Sequence, residues 1–188
     1  MNAFEFVMTL YSFVYALGVA QILAAVGDMV RASDRVRFSW LHAGWMLNIM
    51  LAIVAWWLSL WDLQSQSSWP MATVIVFFIV ACVLYLLSRL VSPTISQNGP
   101  ADMRTFHQQE GRKYAALFAV NTVLTIATVY LYGSSSENWI ASNSASWPTL
   151  AASLAATFTR NRWVQMIALV TILAIWVWYF ATLQSALA

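Results

Sequence analysis

FSWLHAGWMLNIMLAIVAWWLSLW, residues 38–61, is the stretch that decides the fold. Its 24 residues carry no charge and five of the chain's eleven tryptophans. A helix of this length crosses a hydrocarbon core of about 30 Å. Asn48, Ala52, Ala55 and Ser59 lie along one line, which the helical period puts on a single small and polar face. Trp57 and Trp61 fall on the other side, where interfacial tryptophans anchor a span at headgroup level. The expectation is a membrane helix with its polar face turned into a bundle.

Working outward, the whole chain agrees. It has 188 residues, 61% of them hydrophobic and 9% charged, with a mean hydropathy of +0.69. Soluble domains carry about 25% charged residues, so lipid is the expected solvent and a single membrane domain the expected organisation. The lone Cys82 cannot form an internal disulfide. The opening MNAFEF lacks a basic n-region, and the apolar run behind it is too long for a signal peptide, so it reads as the first span.

Four more apolar runs reach spanning length, at residues 4–26, 69–91, 114–132 and 163–183. Helices are required, because lipid satisfies no backbone groups and the alternation of a barrel is absent. Residues 147–159 are shorter, about 20 Å as a helix. Trp147, Leu150, Leu154 and Phe158 form one stripe there, and Thr149, Ser153, Thr157 and Arg160 another. That pattern suits a helix in the outer interface, with a short sixth span or re-entrant helix as the alternative. The expected architecture is therefore an all-α polytopic transmembrane bundle of five spans plus a short outer interfacial helix, or of six spans.

Lys and Arg set the orientation. Arg31, Arg35 and Arg37 lie in the first loop, and Arg89, Arg104, Arg112 and Lys113 lie around the third. Those loops are expected on the cytoplasmic side of a bacterial inner membrane, with the N-terminus outside. Six spans would bring Arg160 and Arg162 inside as well, which makes the alternation of basic loops perfect. Ser-Trp-Pro occurs at 68–70 and again at 146–148. Each reads as a Ser-capped helix start with Pro in the first turn, either twice independently or as an internal repeat that would favour six spans. In the loop 92–113, Pro93 stops a helix, Asn98-Gly99-Pro100 makes a turn, and 102–111 is expected as a short surface helix.

Polar groups inside a membrane are the first functional candidates. The candidate path or packing seam comprises Glu5, Asn48, Ser59, Asn121, Thr125 and Thr128. Glu5 shares a face with Thr9, Ser12, Ala16 and Ala20, small enough for close helix approach. Asn121, Thr125 and Thr128 lie on one face of the fourth span with Tyr114 and Tyr132. The same residue types serve as interhelical glue or as a water-lined path. The two histidines, His42 near the inner end of the second span and His107 in a loop, are poorly placed to hold a haem together. His107 with Glu110 makes a weak metal motif on a solvated amphipathic helix. No cofactor and no metal is expected. No catalytic residue set is present either: the sequence holds no nucleophile elbow, P-loop, dinucleotide fingerprint or paired carboxylates. The loops are too short for a nucleic-acid fold. The basic inner face predicts anionic lipid and admits a cytoplasmic protein partner.

Phe4-Glu5-Phe6, the small stretch from Gly18 to Gln21, and the basic loop leading to Trp40, His42 and Trp45 form a pattern. Trp56-Trp57, Trp61, Pro93 and the stretch from Met103 to Tyr114 continue it. Over its first 133 residues the chain thereby resembles a group of small bacterial polytopic membrane proteins. The resemblance implies a four-span core with the region after Gly133 added, and it carries no function or site residues. Two functions remain open: a small oligomeric channel or transporter subunit with a polar path between helices, or a non-conducting structural or accessory subunit of a larger membrane complex.

Overall fold

The computed structural model describes residues 3–65, 69–95, 101–132 and 139–187. The chain is all-α. In order it forms α1 (Ala3–Arg31), a 3₁₀ turn (Ser33–Arg35), β1 (Val36–Arg37), α2 (Trp40–Ser59) and a second 3₁₀ turn (Leu60–Ser65). It continues with α3 (Met71–Val91), β2 (Ala101–Asp102), α4 (Met103–Tyr132), α5 (Trp139–Ser142), α6 (Ser146–Phe158) and α7 (Arg162–Leu187). Five helices, α1, α2, α3, α4 and α7, are long and apolar enough to cross a membrane. This is the organisation of a multi-pass integral membrane protein. The contacts divide the chain into two units, Met1–Phe106 and His107–Ala188.

In the first unit α1, α2 and α3 pack on one another. α1 buries Val7, Tyr11, Tyr15, Gly18, Ile22 and Ala25, spaced by three and four residues. Gly18 is the point of close approach: a Cβ there would stand 3.1 Å from Ile53 Cδ1 of α2 and 3.7 Å from Ser88 Oγ of α3. The Tyr11 hydroxyl donates to the Val74 carbonyl at 2.7 Å, and Arg89 Nη1 donates to Gln21 Oε1 at 2.9 Å, so α1 and α3 are tied at both ends. Ser39 caps α2, and Pro93 follows the extended Ser92 that ends α3. β1 and β2 pair in parallel, Val36 with Ala101 and Arg37 with Asp102, so the first and third loops meet at one end of this unit.

Two local expectations gain detail here. The surface helix expected at 102–111, leading into the fourth span, runs on into it without a break. α4 is one helix of 30 residues, because Asp102 starts it and nothing after it breaks it. Asp102 Oδ1 accepts from the backbone N–H groups of Arg104 at 2.8 Å and Thr105 at 3.2 Å. Gly111 lies within α4. The two Ser-Trp-Pro tripeptides also differ. Pro70 is the N-cap of α3, whereas Ser146 is already the first residue of α6, behind Ala145. Ser68 lies outside the described residues.

In the second unit α6 and α7 form an antiparallel pair joined at 159–161. Gln165 Nε2 donates back to the Ala156 and Thr159 carbonyls and closes that turn. Arg112 Nε donates to the Thr157 carbonyl at 2.7 Å. At the other end, Trp139 lies 5.6 Å from the Tyr130 ring and 5.8 Å from the Trp147 ring. The segment from Trp139 to Thr157, of which α6 is the larger part, thus runs from beside Tyr130 to Arg112. Those two residues are about 27 Å apart along α4 at 1.5 Å per residue. At 13 residues, α6 is not among the five helices of spanning length.

Candidate functional site

The polar candidates fall in both units. In the first, Asn48 is fully buried on α2 together with Ala52 and Ala55, while Ser59 is half-buried and its hydroxyl donates to the Trp56 carbonyl at 2.8 Å. Glu5 is exposed, and so are Thr9, Ala16 and Ala20 of the same face. Within the first unit, α1 packs chiefly by another face. α1 turns its tyrosines inward, because Tyr11 and Tyr15 offer far more area to bury than Thr9 or Ala16 and the Tyr11 hydroxyl has the Val74 carbonyl to reach. Ser12 contributes from the edge of that face by accepting from Trp57 Nε1 at 3.0 Å. Trp57 and Trp61 are exposed, on the side opposite Asn48.

In the second unit Asn121 and Thr128 are buried and Thr125 is half-buried. The hydroxyls run along α4 as a chain of back-bonds. Thr122 donates to the Phe118 carbonyl at 2.9 Å, Thr125 to the Asn121 carbonyl at 3.0 Å, and Thr128 to the Thr125 carbonyl at 2.8 Å. These bonds spend each hydroxyl proton on the helix's own backbone, as Ser and Thr do in apolar surroundings. The Asn121 side-chain oxygen is buried with no hydrogen-bond partner among the described residues. Asn143 Oδ1 and Gln165 Oε1 are in the same state, each with its amide nitrogen already donating to a backbone carbonyl.

Sequence reasoning missed several groups. His107 is not solvated: it is buried, and its Nδ1 is hydrogen-bonded to the Tyr114 hydroxyl. The seven-residue spacing of His107 and Tyr114, two helical turns, was the available signal. Between them Gly111 leaves room for the imidazole, which lies 3.1 Å from where a Cβ would be. Gln165 stands as a lone amide in an apolar run, a signal of the same kind. Glu110 pairs with Lys113 at 2.7 Å. Among the described residues no three metal-binding side chains come together.

The first unit also holds a cavity of about 510 Å³ that no sequence pattern announced. It lies between the C-terminal half of α1, the segment 33–39 and the first turns of α2. Ile22, Val26, Met29, Met46, Met50 and Met103 line it, with the buried His42 on its wall. His42 meets the Phe106 ring edge-on, with centroids 5.1 Å apart.

No family model, curated protein or solved structure matches this chain.

Proposed function

We propose that this protein is a non-conducting structural or accessory subunit of a bacterial inner-membrane assembly. What supports the reading is the internal hydrogen bonding of the candidate seam. Ser59, Thr125 and Thr128 all donate to carbonyls of their own helices. Hydroxyls used this way leave apolar and small groups to make the helix contacts, which is how membrane helices associate. In this reading the N-terminus lies outside and the basic loops inside, with a homo-oligomer or a larger complex as the working form. The course of the segment from Trp139 to Thr157, from beside Tyr130 to Arg112, supports a six-crossing topology with the C-terminus outside.

The second reading, a channel or transporter subunit, draws on one observation: the Asn121 side-chain oxygen is buried without a partner among the described residues. Buried polar atoms are nearly always bonded, and water in a path would supply the donor. Purification from native membrane and reconstitution into liposomes separate the two. The first reading expects a stoichiometric co-purifying partner and no flux under proton, sodium or potassium gradients. Flux that Asn121→Leu abolishes while assembly persists would overturn it.

A further inference from the structure

The cavity of the first unit points to a ligand that the functional reading does not involve. About 510 Å³ is within the size range of ligand pockets, roughly 300–1,000 Å³. Its walls are apolar, and four of them are methionines, Met29, Met46, Met50 and Met103. Unbranched thioethers adapt to flexible apolar guests. The cavity opens past Leu23, Val30, Phe38 and Leu47, all of which are exposed. In a membrane that exposure is to hydrocarbon, so an acyl chain can enter sideways.

The segment that closes the cavity carries the charge. Val36 and Ser39 line it, and Arg35 and Arg37 alternate with Val36 along the chain. In extended backbone, alternate residues point to opposite sides. The Arg37 guanidinium therefore stands across the segment from the apolar wall, where a headgroup would sit above its own chain. The acids nearby have contacts of their own, and the charges of Arg37 and Asp102 act on each other. Asp28 pairs with Arg31 at 3.8 Å, Asp34 accepts from the Ser33 hydroxyl at 3.2 Å, and Asp102, beside Arg37, holds the start of α4. A phosphate suits guanidinium. A zwitterionic headgroup would bring its own cation against the same arginines. Phe38 and Trp40 stack edge to face, centroids 4.8 Å apart, both exposed at this level, as interfacial aromatics do.

We propose that this groove binds one acyl chain of an anionic phospholipid, with the lipid phosphate at Arg35 and Arg37. The proposal stands apart from the subunit reading and holds whether or not a protein partner exists. It is tested by native mass spectrometry of the delipidated full-length protein, titrated with phosphatidylglycerol or with phosphatidylcholine of the same acyl chains. The expected result is one tightly held phosphatidylglycerol per chain. Ala43→Trp, which fills the groove, loses it. Arg35→Gln and Arg37→Gln each weaken phosphatidylglycerol about fivefold and leave phosphatidylcholine unchanged. If Ala43→Trp loses its helical circular dichroism, Leu47→Trp at the exposed rim takes its place. Retention of the lipid by the filled groove, or equal affinity for the two headgroups, overturns the proposal.

Discussion

Replacing Gly111 with alanine should destabilise this protein, although the same change in most helices stabilises them. In an open helix position Gly→Ala is favourable by about 1 kcal/mol. At Gly111 the new methyl would lie 3.1 Å from both Cε1 and Nδ1 of His107 and 3.4 Å from Nε2. The obstacle is the whole imidazole, and the ring is fixed, being buried and bonded to the Tyr114 hydroxyl. Making room means moving the ring off its partner. Overpacking of this kind costs about 1–3 kcal/mol, and losing the hydrogen bond about 0.5–1.5 kcal/mol. Set against the helix-propensity gain, the net is a loss of about 1–3 kcal/mol. Gly18 is the internal contrast. A Cβ there is tight only against the tip of Ile53, at 3.1 Å, with Ser88 at an ordinary 3.7 Å; that tip can rotate away, so Gly18→Ala should be nearly neutral. The assay is denaturant unfolding in a fixed detergent, run on Gly111→Ala, His107→Ala and the double variant. With the ring gone, Gly111→Ala should regain its stabilising sign. If Gly111→Ala is as stable as the parent, or has the same effect in both backgrounds, the packing argument is wrong.

The turn closing α6 makes a second case. Gln165→Leu leaves the Ala156 and Thr159 carbonyls without their donor and should cost about 1–3 kcal/mol, whereas Arg112→Gln, at an exposed position, should cost about 0.5–1.5 kcal/mol. Both are read by the same unfolding assay. In a Cys82→Ser background, Arg160→Cys should react with a membrane-impermeant maleimide from the same side as Lys113→Cys; reaction from opposite sides rules out six crossings. Asp102 has its carboxyl held below the usual range, first by the Thr105 backbone N–H and then by that of Arg104. A depressed carboxyl stabilises the folded form above its ordinary pKa, and that contribution fades as pH falls through the lower folded value. Protection of the Arg104 and Thr105 amides from hydrogen exchange should therefore drop as pH is taken below about 4. Asp102→Asn keeps the cap and should abolish the pH dependence.

The spans were legible because their signal is length and hydropathy, and neither depends on a neighbour. The interior face of α2 could be read as well: Asn48, Ala52 and Ala55 share a helical stripe and are buried. The face of α1 could not. Its Glu5–Thr9–Ser12 line looks polar enough to pack, but the choice between that line and Val7–Tyr11–Tyr15 depends on what α3 offers, and the Val74 carbonyl has no sequence signature. His107 misled for a related reason. Between Arg104 and Lys113 it stands in a polar stretch, so its burial was invisible without Tyr114 two turns on. The cavity is assembled from α1, the segment 33–39, α2 and Met103, and no local pattern encodes such a convergence.

The course of α6 bears on the choice between five crossings and six. Thirteen residues give about 20 Å of helix, short against a core of about 30 Å. What crosses from Tyr130 to Arg112 is more than α6, however. Trp139, α5 and the turn at Asn143 come first: the Asn143 amide donates to the Trp139 carbonyl, and Trp147 Nε1 donates to the Ile140 carbonyl at 3.3 Å. These bonds satisfy backbone groups that an irregular stretch would otherwise leave open, which is the condition for irregular chain at membrane depth. At the other end the Arg112 guanidinium and the Gln165 amide cap carbonyls that α6 cannot satisfy itself. In the six-crossing reading, Trp139 lies in the outer headgroup layer, and Arg160 and Arg162, both exposed, lie in the inner one. The remaining mismatch is small enough for local thinning and for arginines that reach to the headgroups. The polar stripe of Thr149 and Ser153, which looks like the wet face of an interfacial helix, is instead buried, each hydroxyl bonded to a carbonyl of its own turn.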